Sequence, residues 1–291
     1  MYYVKTIRHL LLVLVLSGGW VLTSSAQTTV PGRPSERSGL SKKERRKLRP
    51  AYIGVNVGTN RIKFRDFATS PLFYEGWTTY VGASWLKADR YRESEAALTY
   101  SFGNPKTDFN ENATSSNFNR FELFYSQLYQ VGAWSNSNFT TKVGGMFNTT
   151  GNLRANPKLG NNALGLEAFP TLFFSFKLTK EMSGSAKNAR RQNLSLRVNT
   201  GIINAAYRNG YIYYPGQGTE VNEPNTFENY ELNVSGFRAS TGLDYTRYLR
   251  NKNALQISYI WDTYHTGGDL DRFEMANHTL KFALLFNTNN Q

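Results

Sequence analysis

From Ala51 onward, apolar and polar residues alternate along the chain with a period of two. Successive side chains of a strand point to opposite faces of a sheet, so this alternation predicts β-strands and not helices. The pattern predicts ten strands, at 51–58, 77–86, 91–103, 119–131, 138–148, 163–178, 193–206, 234–249, 254–264 and 275–287.

The apolar faces have the features of strands that face lipid. A soluble sandwich also alternates, but here the apolar faces end in aromatic residues and the segments have about the length that crosses a bilayer at a tilt. The opposite faces mix glycine with charges of both signs. We therefore expect an all-β protein, an antiparallel up-and-down transmembrane barrel of about ten strands, with eight or twelve as alternatives. The predicted aromatic girdle comprises Trp77, Trp85, Tyr259, Trp261 and Phe286.

The predicted connections alternate between long and short. Residues 59–76 and 207–233 are long connections, whereas 87–90 and 250–253 are short. Outer-membrane barrels have short periplasmic turns, longer outer loops and an even number of strands. This alternation favours the same barrel, with both termini in the periplasm.

The N-terminal segment has the features of a secretory signal peptide. Lys5 and Arg8 precede an apolar run, and small residues end it at Ala26. The alternative, an uncleaved membrane anchor, is disfavoured because glycines interrupt a run that is short for a membrane span. We expect a signal peptide at 1–26, a basic periplasmic tail at 27–50 and the barrel at 51–291.

Positive charge is concentrated in the predicted tail. The formal net charge is +13, of which +11 remains after residues 1–26 are removed, and +6 of that lies in residues 27–50. An exported chain seldom meets nucleic acid, so we expect no nucleic-acid partner. The tail would bind anionic lipid headgroups or a periplasmic polyanion, or serve as a solvated linker. The absence of cysteine from the sequence excludes disulfides, thiolate metal sites and a cysteine nucleophile.

The end of the chain has a further feature of this kind of barrel. Residues 278–286 alternate and end in Phe286, although five residues follow it. With the Ala26 cleavage site and the Trp77 and Trp85 pair, the chain resembles small single-chain outer-membrane β-barrel proteins of Gram-negative bacteria, a porin-like group. The resemblance implies an outer-membrane location, with outer-membrane lipids and the barrel-assembly machinery as partners. It covers residues 51–287 and implies fold and location more than activity.

Two histidines remain as candidates for catalysis. His278 lies where barrel lipid acylhydrolases keep a His-x-Ser pair, but the residue two positions later is Leu280. His265 lies near Asp262, as in barrel proteases of the omptin type, but the Asp-x-His signature is absent. We therefore predict no catalytic residues, no enzyme activity and no cofactor.

Two loops are candidates for binding. The predicted loop after residue 264 has three carboxylates, at Asp269, Asp271 and Glu274, without the spacing of an EF-hand, so we predict no metal site. The longest loop is rich in tyrosine, glycine and proline and would stack on a sugar or a protein partner, or fold over the rim. Its aromatic candidates are Tyr207, Tyr211, Tyr213, Tyr214 and Phe227.

Charged residues on the inward faces predict a closed lumen. Six basic and six acidic side chains are assigned there: Arg120, Lys142, Lys177, Arg197, Arg238, Lys281, Glu93, Glu95, Glu122, Glu167, Asp244 and Asp262. In a narrow barrel such side chains pair or hold water. We therefore expect a structural or ligand-interacting surface protein. The alternatives are an outer-membrane hydrolase using His265 or His278, and a soluble secreted β-barrel that binds an apolar ligand.

Overall fold

The fold consists almost entirely of antiparallel strands. The computed structural model describes residues 49–107, 114–136, 138–162, 164–182, 191–209, 230–268 and 271–288. The strands are β1 (Ala51–Asp66), β2 (Ser70–Ala88), β3 (Arg92–Gly103), β4 (Lys106–Thr107), β5 (Thr114–Ser115), β6 (Asn117–Gln130), β7 (Phe139–Ala155), β8 (Leu164–Glu181), β9 (Gln192–Asn204), β10 (Ala206–Asn209), β11 (Tyr230–Asn233), β12 (Phe237–Tyr248), β13 (Ala254–Thr266) and β14 (Phe273–Asn287). Two short 3-10 helices, Gly132–Trp134 and Pro157–Asn162, flank β7.

Ten of these strands close into a barrel. Strand β1 pairs with β2 on one side and with β14 on the other. The other long strands, β3, β6, β7, β8, β9, β12 and β13, each pair with their neighbours along the chain in the same antiparallel sense. Full closure leaves none of these ten strands with an unpaired edge. The prediction of an all-β, ten-stranded antiparallel barrel is confirmed.

The start of β1 and the end of β14 lie at one end of the barrel, which we call the terminus end, and the opposite end is the loop end. The β2–β3 and β12–β13 turns lie at the terminus end, and the β3–β6 and β9–β12 connections lie at the loop end. Short strands extend two of the loop-end connections, because β4 pairs with β5 and β10 pairs with β11. No helix in the described residues is long and apolar enough to cross a membrane.

The prediction that the first connection is long is wrong. Residues 59–76 were expected to be a loop, but β1 continues to Asp66, β2 begins at Ser70, and only residues 67–69 join them. Asp66 stabilises this turn through its carboxylate, which accepts hydrogen bonds from the Ala68 backbone N–H at 3.2 Å and the Thr69 hydroxyl at 3.0 Å. Likewise β7 continues to Ala155, beyond the predicted end at residue 148.

The strands are longer than predicted because the kind of side chain on each face changes along them. Over residues 53–57 of β1 the outward side chains are apolar, whereas from Arg61 onward they are charged and Ile62 and Phe64 point inward. We call the part with apolar outward faces the belt section, and the strand ends beyond it, at the loop end, the extended section. A prediction that relies on apolar outward residues therefore ends the strand too early, at the point where the outward residues become charged.

The described part of the predicted tail is short. Residues 27–48 lie outside the described residues. Arg49 lies against the terminus end of the barrel, where its guanidinium pairs with Asp89 at 3.1 Å and donates to the Lys87 carbonyl at 2.7 Å.

Candidate functional site in the barrel lumen

The lumen has a first ion cluster near the terminus end, which we call the Glu93 cluster. The Glu93 carboxylate is 2.6 Å from Lys177, 2.8 Å from Arg197 and 3.3 Å from Lys142. Arg197 also binds Glu95 at 2.7 Å. Because these residues come from β3, β7, β8 and β9, their contacts cross the lumen and tie its walls together.

A second cluster, the Asp262 cluster, lies further towards the loop end. Asp262 accepts from Arg120 at 3.0 Å and from Arg238 at 3.0 and 3.1 Å. Arg120 also binds Glu122 at 2.9 Å, and Asn148 bridges the Glu122 carboxylate and the Arg238 guanidinium. The cluster contains two charges of each sign, so its members compensate one another inside the barrel.

A third cluster, the Asp66 cluster, lies in the extended section. Asp66 binds Arg154 and Arg208, each at 2.5 Å, and Arg154 also binds Glu167. Sequence analysis assigned only Glu167 to the lumen, because the other three residues fell in segments expected to be loops. For Arg154 the available signal was the alternation itself, because it lies between Leu153 and Ala155 with its charge on the inward side. Asp66 follows the outward-facing Arg65, so alternation gives no signal for it.

Aromatic side chains fill the lumen between the Asp262 and Asp66 clusters. The buried rings of this aromatic layer pack at centroid distances from 4.8 to 5.7 Å. The layer comprises Phe64, Tyr74, Phe118, Phe169, Tyr264 and Phe273. The Arg154 guanidinium lies 5.4 Å from the Phe273 ring, and Arg238 lies 5.1 Å from Tyr264. Aromatic packing and both ion clusters therefore form one continuous closure.

A cavity of about 120 Å³ remains between the Glu93 and Asp262 clusters. Asp244 and Lys281 line it, and neither makes an ion pair within 4 Å among the described residues. They lie on β12 and β14 with Ser258 of β13 between them, which separates their backbones by about 9.5 Å. Its lining combines charged and polar side chains with apolar ones, and it has room for several water molecules. At the terminus end, Tyr52, Tyr248 and Leu285 form a separate apolar cluster.

The twelve predicted lumen residues thus fall into three groups. Nine contact one another within the first two clusters, Glu167 binds Arg154 instead, and Asp244 and Lys281 remain in the cavity. The nine are Glu93, Glu95, Arg120, Glu122, Lys142, Lys177, Arg197, Arg238 and Asp262.

The two candidate histidines lie on the opposite side of the sheet from the lumen carboxylates. His265 points outward beside the Phe237 ring, whereas Asp262 points inward, because three residues along a strand reverse the side. His278 also points outward, and its Nδ1 shares a 2.6 Å hydrogen bond with the hydroxyl of Tyr259. Neither imidazole is hydrogen-bonded to a carboxylate in the part of the chain that the structure describes.

The predicted girdle residues all project outward in two rows. Trp85, Ile53 and Phe286 are register neighbours near the terminus end. The row at the other boundary runs across four neighbouring strands. It consists of Trp77 on β2, Arg61 on β1, His278 on β14 and Trp261 on β13. Eight residues separate Trp77 from Trp85, or about 26 Å along the strand and roughly 20 Å once its tilt is allowed for. Tyr259 lies just inside the second row.

The loop candidates are only partly described. Tyr211, Tyr213, Tyr214, Phe227 and Asp269 lie outside the described residues. Tyr207 lies on β10, half exposed, opposite Ala168 of β8. Asp271 accepts from the Gly268 backbone N–H at 2.6 Å, and Glu274 binds Arg65 at 2.6 Å. No group of three or more potential metal ligands occurs among the described residues.

Comparison with solved structures finds outer-membrane β-barrels. The outer membrane protease OmpT from Escherichia coli is 7% identical with a TM-score of 0.48, covering 82% of this chain and 96% of that one. The translocator domain of the autotransporter NalP from Neisseria meningitidis is 9% identical with a TM-score of 0.37, covering 82% and 88%. The β domain of the Bordetella autotransporter BrkA is 9% identical with a TM-score of 0.38, covering 81% and 100%. No protein-family model and no curated protein sequence matches the chain.

The chain is a closed ten-stranded barrel of the outer-membrane type. Its own features carry this conclusion, namely full closure, an outward apolar band and aromatic rows at both edges of that band.

Proposed function

We propose that this protein is a β-barrel of the bacterial outer membrane that does not conduct solutes and acts through its loop end, as a structural or partner-interacting surface protein. The single observation that carries the proposal is the filled lumen. Three ion clusters and the aromatic layer occupy the cross-section where a porin has an aqueous channel.

The closed lumen is tested by electrical recording. Purified protein in planar bilayers is expected to show no steady conductance, whereas an open porin measured in parallel conducts. A stable conductance of porin size would contradict the proposal.

The outer-membrane location is supported by the outward apolar band. Outward side chains of every barrel strand include exposed large apolar residues, such as Val55, Leu98 and Leu123, which a soluble barrel would bury. Fractionation is expected to recover the chain in the outer membrane, beginning at Gln27, with heat-modifiable gel mobility. Recovery of a monomer in detergent-free buffer would instead support the soluble barrel that binds an apolar ligand.

The proposed partners are outer-membrane lipids, the barrel-assembly machinery and a sugar or protein ligand at the loop end. The hydrolase alternative has less support, because His265 and Asp262 lie on opposite sides of the sheet. Screening His265→Ala and His278→Ala for lipid and peptide hydrolysis tests it. A hydrolysis activity that either substitution abolishes would restore the enzyme hypothesis.

A further inference from the structure

The outward face of β1 changes abruptly from apolar to basic at the edge of the belt section. Arg61, Lys63 and Arg65 project outward at alternate positions, about 6.7 Å apart. We call these three residues the basic strip. The side chains of Arg61 and Lys63 are 58% and 52% exposed, although they lie within a continuous sheet.

The basic strip is held in place by its neighbours. The Lys63 ammonium lies 4.8 Å and the Arg65 guanidinium 4.2 Å from the centre of the Phe73 ring. Arg61 donates through Nε to Glu75 at 2.9 Å, and Arg65 binds Glu274 at 2.6 Å. These contacts hold the cationic groups in place, and those of Arg61 and Lys63 belong to side chains that remain more than half exposed.

Positive charge exceeds negative charge around the strip. Lys106 neighbours Glu75 across β2 and β4. Four cationic side chains therefore share two carboxylates among the described residues around the strip: Arg61, Lys63, Arg65 and Lys106 with Glu75 and Glu274. A surplus of two positive charges attracts an anionic ligand.

The position of the strip selects the kind of anion. Arg61 lies in the same row as Trp77 and Trp261, and such aromatic rows mark the membrane–water boundary of a barrel. Lys63 and Arg65 come next, on the side away from the acyl chains, which is the depth of lipid phosphates. Exposed Trp77 offers an apolar surface for the adjoining acyl chain.

We propose that the basic strip is a binding site for the phosphate group of an anionic lipid headgroup. This inference rests on the proposed membrane location. The phosphate accepts hydrogen bonds from Arg61, Lys63 and Arg65, while the lipid tail packs on the belt section below Trp77. The strip thereby selects anionic over zwitterionic lipid at this boundary.

The test measures lipid binding to the folded barrel in detergent by native mass spectrometry. The probes are short-chain phosphatidic acid, phosphatidylcholine of the same chain length, and inorganic phosphate. We expect the barrel to bind phosphatidic acid at least about tenfold more tightly than phosphatidylcholine, since each nearby cation contributes about fivefold. Equal binding of the two lipids, or binding of inorganic phosphate as tight as that of phosphatidic acid, would overturn the proposal.

Variants then locate the site. Arg61→Gln with Lys63→Gln and Arg65→Gln is expected to weaken binding of phosphatidic acid at least tenfold. A matched control removes three cations at the terminus end, Lys180→Gln with Arg247→Gln and Arg250→Gln, and is expected to stay within twofold of the wild type. Unchanged binding by the first variant, or an equal loss in the control, would refute the assignment.

Heat-modifiable gel mobility shows whether the triple variant folds. If it does not fold, two further variants test the site. Lys63→Gln alone is expected to weaken binding about fivefold, the contribution of one cation. It disturbs the fold least, because the ion pair of Lys63 with Glu75 is 3.8 Å long, the longest in the strip. Arg61→Lys with Arg65→Lys keeps the charge and is expected to retain binding. Full affinity in Lys63→Gln would contradict the proposal. Because folding and binding are measured in detergent, these results are independent of the fractionation that tests location.

Discussion

In β1 the belt section and the extended section belong to one strand but place opposite kinds of side chain on each face. In the belt section Val55 and Val57 point outward and Asn56 points inward, whereas in the extended section Lys63 points outward and Phe64 points inward. The solvent on the outside decides the difference. Lipid favours apolar outward residues, and water beyond it restores the sidedness of a soluble sheet. The extended section therefore has an aromatic core of its own.

The largest expected effect distinguishes a buried charge from an exposed one. Arg154→Ala leaves Asp66 and Glu167 buried without their shared cation and is expected to lower the free energy of unfolding by about 3–5 kcal/mol. Arg61→Ala, which removes an exposed partner of Glu75, is expected to cost less than about 1 kcal/mol. Denaturant unfolding in micelles measures both. Equal losses would show that the inside of the extended section is wet.

The next prediction tests where the lipid boundary lies, by placing a cation on the outward face on either side of the Trp77 row. Val57→Arg places a cation on the lipid-facing side of β1, midway between the two aromatic rows, and is expected to cost about 2–4 kcal/mol. The control Thr263→Arg makes the same kind of change on an outward face beyond the Trp77 row and is expected to cost less than about 1 kcal/mol. Refolding titrations in lipid vesicles measure the difference. A similar cost at both positions would place the boundary elsewhere.

A smaller effect compares two tyrosine hydroxyls on opposite faces of β13. The Tyr264 hydroxyl accepts from the buried Asn152 amide at 2.9 Å, so Tyr264→Phe is expected to cost about 1–3 kcal/mol. Tyr259→Phe removes a hydroxyl that bonds the exposed His278, and we expect a cost below about 0.5 kcal/mol. Unfolding midpoints in one detergent compare the pair. The prediction is contradicted if the outward substitution proves the more costly.

A small effect is also expected inside the lumen. Lys281→Met removes a cation that has no ion partner within 4 Å among the described residues, and we expect a change within about 1 kcal/mol. Arg197→Ala, by contrast, leaves Glu95 and Glu93 short of a cation and is expected to cost about 3 kcal/mol. Calorimetry of the detergent-solubilised proteins separates the two. A loss for Lys281→Met as large as that for Arg197→Ala would mean that Lys281 contributes an interaction of equal strength.

Sequence analysis predicted the belt section better than the extended section, for a reason visible in β1. Ile53, Val55 and Val57 carry the lipid signal, so the strand was found, and its period then fixed which residues face the lumen. Residues 61–64 also alternate, but with charges outward, and the sequence-based prediction places residues 59–66 in a loop. Asp66 was missed with this segment, and Arg154 with the predicted connection at 149–162. Which lumen charges pair could not be predicted either, since it depends on height and position around the barrel, as Asp244 and Lys281 demonstrate.

The seam between β1 and β14 has a consequence for the order of assembly. It joins Tyr52 to Asn287 and continues over 15 residue pairs, with more than 200 residues of chain between the partners. Closing so long a loop costs conformational entropy before any contact of the seam forms, whereas every other long strand pairs with the one next to it along the chain. We expect the hairpins to form early and the seam last, so that until the seam closes β1 and β14 each expose an open edge to which another chain can add.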